Sequence, residues 1–331
     1  MQTFDSILLI AFGGPEKPED IRPFLRIVTA GRRIPPERIE EVAHHYELIG
    51  GRSPHNELTF SQAEALGRAL ERDGLPQPVY VGMRNWHPFL DETLAAMRDR
   101  GHRRALGIIL SSFQTEASWE RYLGDVAAAR EKVGPGAPEV VYAPAWADHP
   151  RFIEAMVDRV REALAGIPPK RREATALVFT AHSVPTAMAQ GSPYEAQLQA
   201  AGKRVAEQLG HPRWLVAYQS RSGSPRDSWL EPDIGEVIRD LARDGVMDMV
   251  VAPMGFVCDH VEILYDLDVE ARQVAETVGL QLHRALSAND HPAFIEMLAD
   301  LVKWGLRGDG PLARPSPPLG ERGRDGDGPR T

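Results

Sequence analysis

Eight short apolar runs, separated by longer amphipathic stretches, constrain this chain more than any other feature. They are Ser6–Phe12, Pro78–Gly82, Ala105–Ser111, Glu139–Ala143, Thr175–Thr180, Trp214–Ala217, Met247–Pro253 and Gly279–His283. Most are rich in Val, Ile and Leu and do not alternate with polar residues. A strand with one wet face alternates. An unbroken run marks a strand buried on both faces, as in a parallel sheet covered by helices. Between the runs, Phe60–Arg72 sets Ala63, Leu66, Gly67 and Leu70 on one helical stripe, and Asp91–Asp99 follows the same spacing. Strands alternating with helices predict an α/β fold. Ile167-Pro168-Pro169 divides the runs four and four, so two similar halves are expected over residues 1–168 and 169–308, with the last helix free to pack back on the first. From Asp309 the chain holds five Gly, five Pro and almost no large apolar residue. That composition cannot offset its ordering entropy and predicts a disordered tail over 309–331.

Charge and cysteine usage exclude several classes. Thirty-eight Lys and Arg face 47 Asp and Glu among 331 residues, a net charge of −9. Bulk nucleic-acid binding needs the opposite sign, so no nucleic-acid partner is expected. The single cysteine, Cys258, supports no internal disulfide, four-cysteine zinc site or all-cysteine iron–sulfur cluster. The start of the chain lacks a basic signal-peptide region, and no apolar run approaches the ~18 residues of a spanning helix. The expected location is the cytoplasm, with membrane contact at most peripheral. No G-x-G-x-x-G follows a strand and no P-loop is present, which leaves a dinucleotide site unsupported.

In open parallel sheets, ligands bind beyond the carboxyl ends of the strands. Three groups there draw notice. His182 follows the fifth run and precedes Ser183-Val184-Pro185, a position suited to a base or metal ligand; the plainer alternative is a loop histidine bonded to a carbonyl. After the seventh run come Asp259, His260, Glu262, Asp266, Asp268 and Glu270, with no Lys or Arg before Arg272. If helical, Glu262, Asp266 and Glu270 fall at i, i+4 and i+8 on one ridge, where like charges oppose one another. Oxygen donors beside imidazole suit Fe²⁺ or Mg²⁺. A solvated acidic face is the alternative, although Val261, Ile263, Leu264, Leu267 and Val269 point to a buried helix. The third group, Tyr46 to Pro54, contains Gly50-Gly51-Arg52-Ser53-Pro54, a turn that opens a helix. Ser53 with free N–H groups there is able to hold an anion, or simply to cap the helix. Arg84, Asn85, Trp86 and His87 join charge to a flat aromatic, with Trp119 and Tyr122 beyond the third run.

Together, LLIAFGGPE, HHYELIGGRSPHNELT, PVYVGMRNWHPF, VFTAHSVP, WLVAYQSRSG, DSWLEPD and PMGFVCDHVEILYDLDVE resemble the ferrochelatase family, from about Ile7 to about Gly308. The resemblance implies a chelatase-like fold of two Rossmann-like domains, each with a four-stranded parallel sheet flanked by helices, around a porphyrin cleft. It implies insertion of Fe²⁺ into a porphyrin in haem biosynthesis, a lyase reaction with no cofactor beyond that metal. The family's histidine falls on His182 and its iron-site glutamate on Glu262, the catalytic pair; the metal set adds Asp266 and Glu270. Substrate contacts are expected from Phe12, Tyr46, Ser53, Arg84, Trp86 and Tyr122. The FGGPE, GRSPHNELT and GMRNWHPF forms are similar to the actinobacterial-type branch, which favours coproporphyrin III over protoporphyrin IX. Where some of those enzymes carry a tyrosine able to ligate iron, this chain has Phe12. Thr29 and His45 replace two basic cleft positions, leaving Arg26, Arg52 and Arg84 as expected partners for the propionates. No [2Fe–2S] cluster is expected. Other haem-pathway enzymes are the protein partners implied.

Metal insertion requires a bent macrocycle, loss of two pyrrole protons and stepwise dehydration of the metal. Trp86, Tyr122, Trp229 and Met83 are expected to grip the ring, with His182 as proton acceptor or ligand and Glu262 opposite it. Three alternatives compete: a sirohydrochlorin chelatase using cobalt or nickel, a porphyrin or haem carrier without catalysis, and a two-domain sugar-binding protein. The paired His182 and Glu262 motifs favour the ferrochelatase reading.

Overall fold

The computed structural model describes residues 4–31, 34–222 and 227–308. The expected tail lies outside them. Eight strands form where the apolar runs predict: β1 Ser6–Ala11, β2 Val79–Met83, β3 Arg104–Ile109, β4 Glu139–Tyr142, β5 Ala176–His182, β6 Trp214–Gln219, β7 Asp248–Ala252 and β8 Gln281–Arg284. They make two four-stranded sheets of order β2-β1-β3-β4 and β6-β5-β7-β8. All pairings are parallel, with Leu8 opposite Tyr80 and Gly107 in the first sheet, and Val178 opposite Leu215 and Val251 in the second. The central strands β1, β5 and β7 are buried nearly throughout, which is why their sequences do not alternate. The fold is the two-sheet α/β architecture expected.

The end of β5 differs from expectation in a way that matters for the site. β5 runs two residues beyond Thr180, so His182 is its last residue rather than the first of a loop. The register continues because His182 pairs with Gln219 on β6, and the Ser183 N–H then donates to the Gln219 carbonyl at 2.7 Å.

The two halves exchange helices. Helix Pro150–Ala165 precedes the Pro168 break yet packs on β7, β8 and helix Tyr194–Leu209 of the second half. Helix Pro292–Arg307 packs on helix His55–Arg72 and on β3 of the first half. Phe152, Ile153, Met156 and Val160 thus join Phe294, Met297, Leu298 and Val302 in one core with residues of both sheets. No described helix is long and apolar enough to cross a membrane.

Candidate active site

The carboxyl ends of both sheets face one cleft of roughly 1530 Å³. Phe12 and Gly13 follow β1, Arg84 and Asn85 follow β2, and Ser111 follows β3. From the second half come His182, Ser183, Gln219, Ser220, Gly255, His260 and Glu262. Its apolar wall comes from Ile27, Val28, Ile39 and Val42 of the two helices after β1, Pro18–Val28 and Pro36–Leu48.

Local sequence explains the precision of these ends. Gly13 has φ +86°, and a Cβ there would lie 3.0 Å from the Trp86 nitrogen. Gly14 packs on Ser53, and the buried Asn56 side chain closes the turn. Its Oδ1 accepts from the Gly14 N–H at 2.9 Å, and its Nδ2 donates to the Gly14 carbonyl at 3.1 Å. Opposite, Gly255 lets the chain after β7 press on β5; a Cβ there would lie 2.5 Å from that of Ala181.

His182 is oriented by its own turn. Its Nδ1 makes a very short contact with the Ser183 carbonyl. A carbonyl only accepts, so Nδ1 carries the proton of the neutral ring and Nε2 keeps its lone pair. That nitrogen lies 3.7 Å from Glu262 Oε1. The Glu262 backbone is held in turn, because Gln219 Nε2 donates to its carbonyl while Gln219 Oε1 accepts from Thr180 Oγ1 at 2.7 Å.

The acidic ridge forms on an unusual element. A short α-helical turn, Val261–Leu264, passes into the wider π-helical turn Asp266–Ala271, in which the Glu270 N–H reaches the Tyr265 carbonyl five residues back at 3.0 Å. Glu262, Asp266 and Glu270 all line the cleft. Burial, reinforced by the Glu262 charge, pushes the Asp266 carboxyl up to about 8, while the Ser220 hydroxyl bonded to it acts in the opposite direction. Ser220 adopts φ +62°, a strained conformation for a non-glycine residue. Burial also raises Glu270, against the nearby Arg38. Tyr46 lines the cleft with its ring edge-on to Phe24 at 6.1 Å; burial and the charges of Glu262 and Asp266 push its hydroxyl up, so it remains a donor.

Not every expected contact lies on the cleft surface. Phe12, Tyr46, Ser53, Arg84, His182, Glu262, Asp266 and Glu270 line it, as does Trp229. Trp86, Tyr122 and Met83 do not. Trp86 backs Phe24 at 6.1 Å, Met83 is fully buried, and Tyr122 lies beneath the Arg84 guanidinium at 4.4 Å. Arg84 is occupied as well: it forms a tight ion pair with Asp125 and has the Phe12 ring 5.9 Å away. Arg26 is exposed outside the cleft, and Arg52 faces Glu57 at 3.8 Å. Among the described residues, the arginines that line the cleft are Arg38, Arg84, Arg121, Arg221 and Arg239. Arg38 pairs with Glu41 at 2.7 Å.

Three lining histidines, His45, His55 and His260, lie outside the sequence expectation of the metal set. His55 and His260 come from opposite halves, with ring centroids 6.2 Å apart. Burial depresses both. His55 falls to about 4; burial holds His260 well below its ordinary value, and His55 and His182 add to the effect. His55 Nδ1 is buried without a partner among the described residues. His55 is the first residue of the helix after the Tyr46 to Pro54 segment, and nothing in its neighbours signals that the other half approaches it.

A family model described as ferrochelatase matches residues 5–306. The chain is 42% identical over 309 residues to the coproporphyrin III ferrochelatase of Mycolicibacterium smegmatis, covering 92% of this chain and 91% of the relative. It is 43% identical to the enzyme of the same name from Mycobacterium avium, covering 90% and 87%. It is 41% identical to a ferrochelatase of Rhodopirellula baltica, covering 97% and 90%. Among solved structures it is similar to SirB from Bacillus subtilis with Fe³⁺, with a TM-score of 0.56 at 11% identity over 93% of this chain and 97% of that one; at that identity the likeness concerns the fold.

Proposed function

The chain belongs to the ferrochelatase family, and from that premise we propose that it inserts Fe²⁺ into coproporphyrin III in haem biosynthesis. The observation that carries the reading is the meeting of His182 Nε2 and Glu262 at 3.7 Å inside one cleft built from both halves, with a carboxylate ridge leading away from them. Identity above 40% to enzymes named for coproporphyrin III supports that substrate over protoporphyrin IX.

The reaction exchanges two pyrrole protons for one metal ion. The ring is to be gripped by Phe12, Tyr46 and Trp229 and held by its carboxylates. Ser53, Arg121, Arg221 and Arg239 are the lining groups we assign to those carboxylates, because Arg84 and Arg38 are already paired. Strain of about 1–5 kcal/mol in the ring comes from such remote binding. The free Nε2 of His182 accepts a pyrrole proton, and the imidazolium formed is stabilised by Glu262. Asp266 and Glu270 carry the cation inward and protons outward. Because Cys258 is alone, we propose that the purified chain holds no iron–sulfur cluster and is colourless without porphyrin.

The test is steady-state insertion with coproporphyrin III and protoporphyrin IX in parallel. A kcat/KM higher by about tenfold or more for coproporphyrin III, equivalent to ~1.4 kcal/mol, is expected. Equal values, or a preference for protoporphyrin IX, would remove the coproporphyrin assignment.

A further inference from the structure

Five carboxylates lie between Asp259 and Glu270, and they do not share one task. Glu262, Asp266 and Glu270 line the cleft, whereas Asp259 and Asp268 meet Arg284, the last residue of β8. Arg284 Nε donates to both Asp268 oxygens at 2.8 Å, and its Nη1 lies 3.4 Å from both Asp259 oxygens. Arg272 adds a second cation 3.5 Å from Asp268. The Arg284 side chain is 10% exposed, and those of Asp259 and Asp268 are 8% and 25% exposed. The segment after β8 completes the hold. The Ser287 N–H donates to Asp259 Oδ1 at 3.2 Å, and Asn289 receives the Asp259 N–H on Oδ1 at 2.9 Å while its Nδ2 donates to Asp259 Oδ2.

We infer that Arg284 is a positioning residue for metal delivery: it anchors Asp268 behind the π-helical turn and so sets where Asp266 and Glu270 stand in the cleft. This rests on the reading of the cleft as the site of metal insertion. The physical case is one of geometry and charge. Asp268 lies between Asp266 and Glu270 on a single turn, so fixing its carboxylate fixes the rotation of that turn. Two arginines against two aspartates also leave the back of the turn neutral, and the carboxyl groups open to a cation are those lining the cleft. Partners of this kind, one step removed from a metal ligand, typically change metal affinity or activity by about 10–100-fold.

The test uses the full chain with Arg284→Gln, Arg284→Lys, Asp268→Asn and the double variant Arg284→Gln/Asp268→Asn. Direct Zn²⁺ titration, porphyrin binding by fluorescence, KM for metal, kcat and the thermal midpoint are read for each. Arg284→Gln is expected to weaken Zn²⁺ binding and raise KM for metal by about tenfold or more, with porphyrin affinity unchanged. Arg284→Lys, which keeps the charge but loses the fork, should fall between wild type and Gln. Asp268→Asn should act in the same direction, and the double variant should be no worse than the poorer single, because both act through one contact. Unchanged metal affinity in folded variants, equal loss of porphyrin and metal binding, or additive effects would overturn the inference. Should Arg284→Gln fail to fold, Arg284→Lys and Asp268→Asn decide it on the same readouts. A wild-type chain that binds Zn²⁺ but inserts no metal would instead overturn the reading of the cleft.

Discussion

A histidine whose Nδ1 is committed to a backbone carbonyl has one nitrogen left for chemistry, and at His182 it faces a carboxylate. His182→Ala and Glu262→Gln are therefore expected to lower the insertion rate by about 100-fold or more while porphyrin binding, read by fluorescence, stays within a few-fold of wild type. Full activity in both would sink the pairing. Cys258 gives an opposite kind of prediction. Burial pushes its thiol up to about 12, and Gln62 Nε2 donates to its sulfur at 3.2 Å. The native chain should not react with an aromatic disulfide reagent at pH 8, whereas the unfolded chain should release one equivalent. At this scale the convergence of His182, Glu262, Asp266 and Glu270 on one cleft was legible, because strand ends and i, i+4 spacing are local properties. Sequence alone did not foresee that Trp86 and Tyr122 sit behind the cleft surface or that Arg84, which lines it, is paired. Aromatic and cationic type says nothing about whether a side chain faces the cleft or fills the layer behind it, and Asp125, which occupies Arg84, is 41 residues away.

Among elements, the strands were legible and the π-helical turn was not. Burial on both faces writes itself into a run of Val, Ile and Leu, and each strand starts and stops within two residues of its run. An extra residue inserted into one helical turn carries no such signature. The turn is stabilised by long-range contacts, such as Arg284 to Asp268 and Ser220 to Asp266, that only the fold brings together. Close approach between elements yields a prediction of its own. Gly255→Ala would place a methyl group 2.5 Å from Ala181 Cβ and 2.7 Å from its Cα, both on a rigid central strand. Overpacking of this kind costs about 1–3 kcal/mol. Denaturant unfolding should show that loss together with reduced insertion activity, because the displaced loop leads to His260 and Glu262. Wild-type stability in Gly255→Ala would contradict the tight packing.

For the whole molecule, the junction between halves should set its acid sensitivity. His55 lies there, buried, with its pKa lowered from 6.5 to about 4. The unfolded chain then binds a proton before the folded one does. The stability His55 contributes as a neutral ring is complete above about pH 6.5 and is lost as pH falls toward 4, with an upper bound of about 3 kcal/mol. Denaturation midpoints measured between pH 7 and 4 should fall less steeply in His55→Gln than in wild type. Identical slopes would assign the acid sensitivity elsewhere.

The exchanged helices have a mechanical consequence. With Pro150–Ala165 seated on the second sheet and Pro292–Arg307 on the first, prising the jaws apart would mean tearing a shared, close-packed interior that has little compliance. A flat ring held between the two sheets should then be the softer body, the one expected to bend.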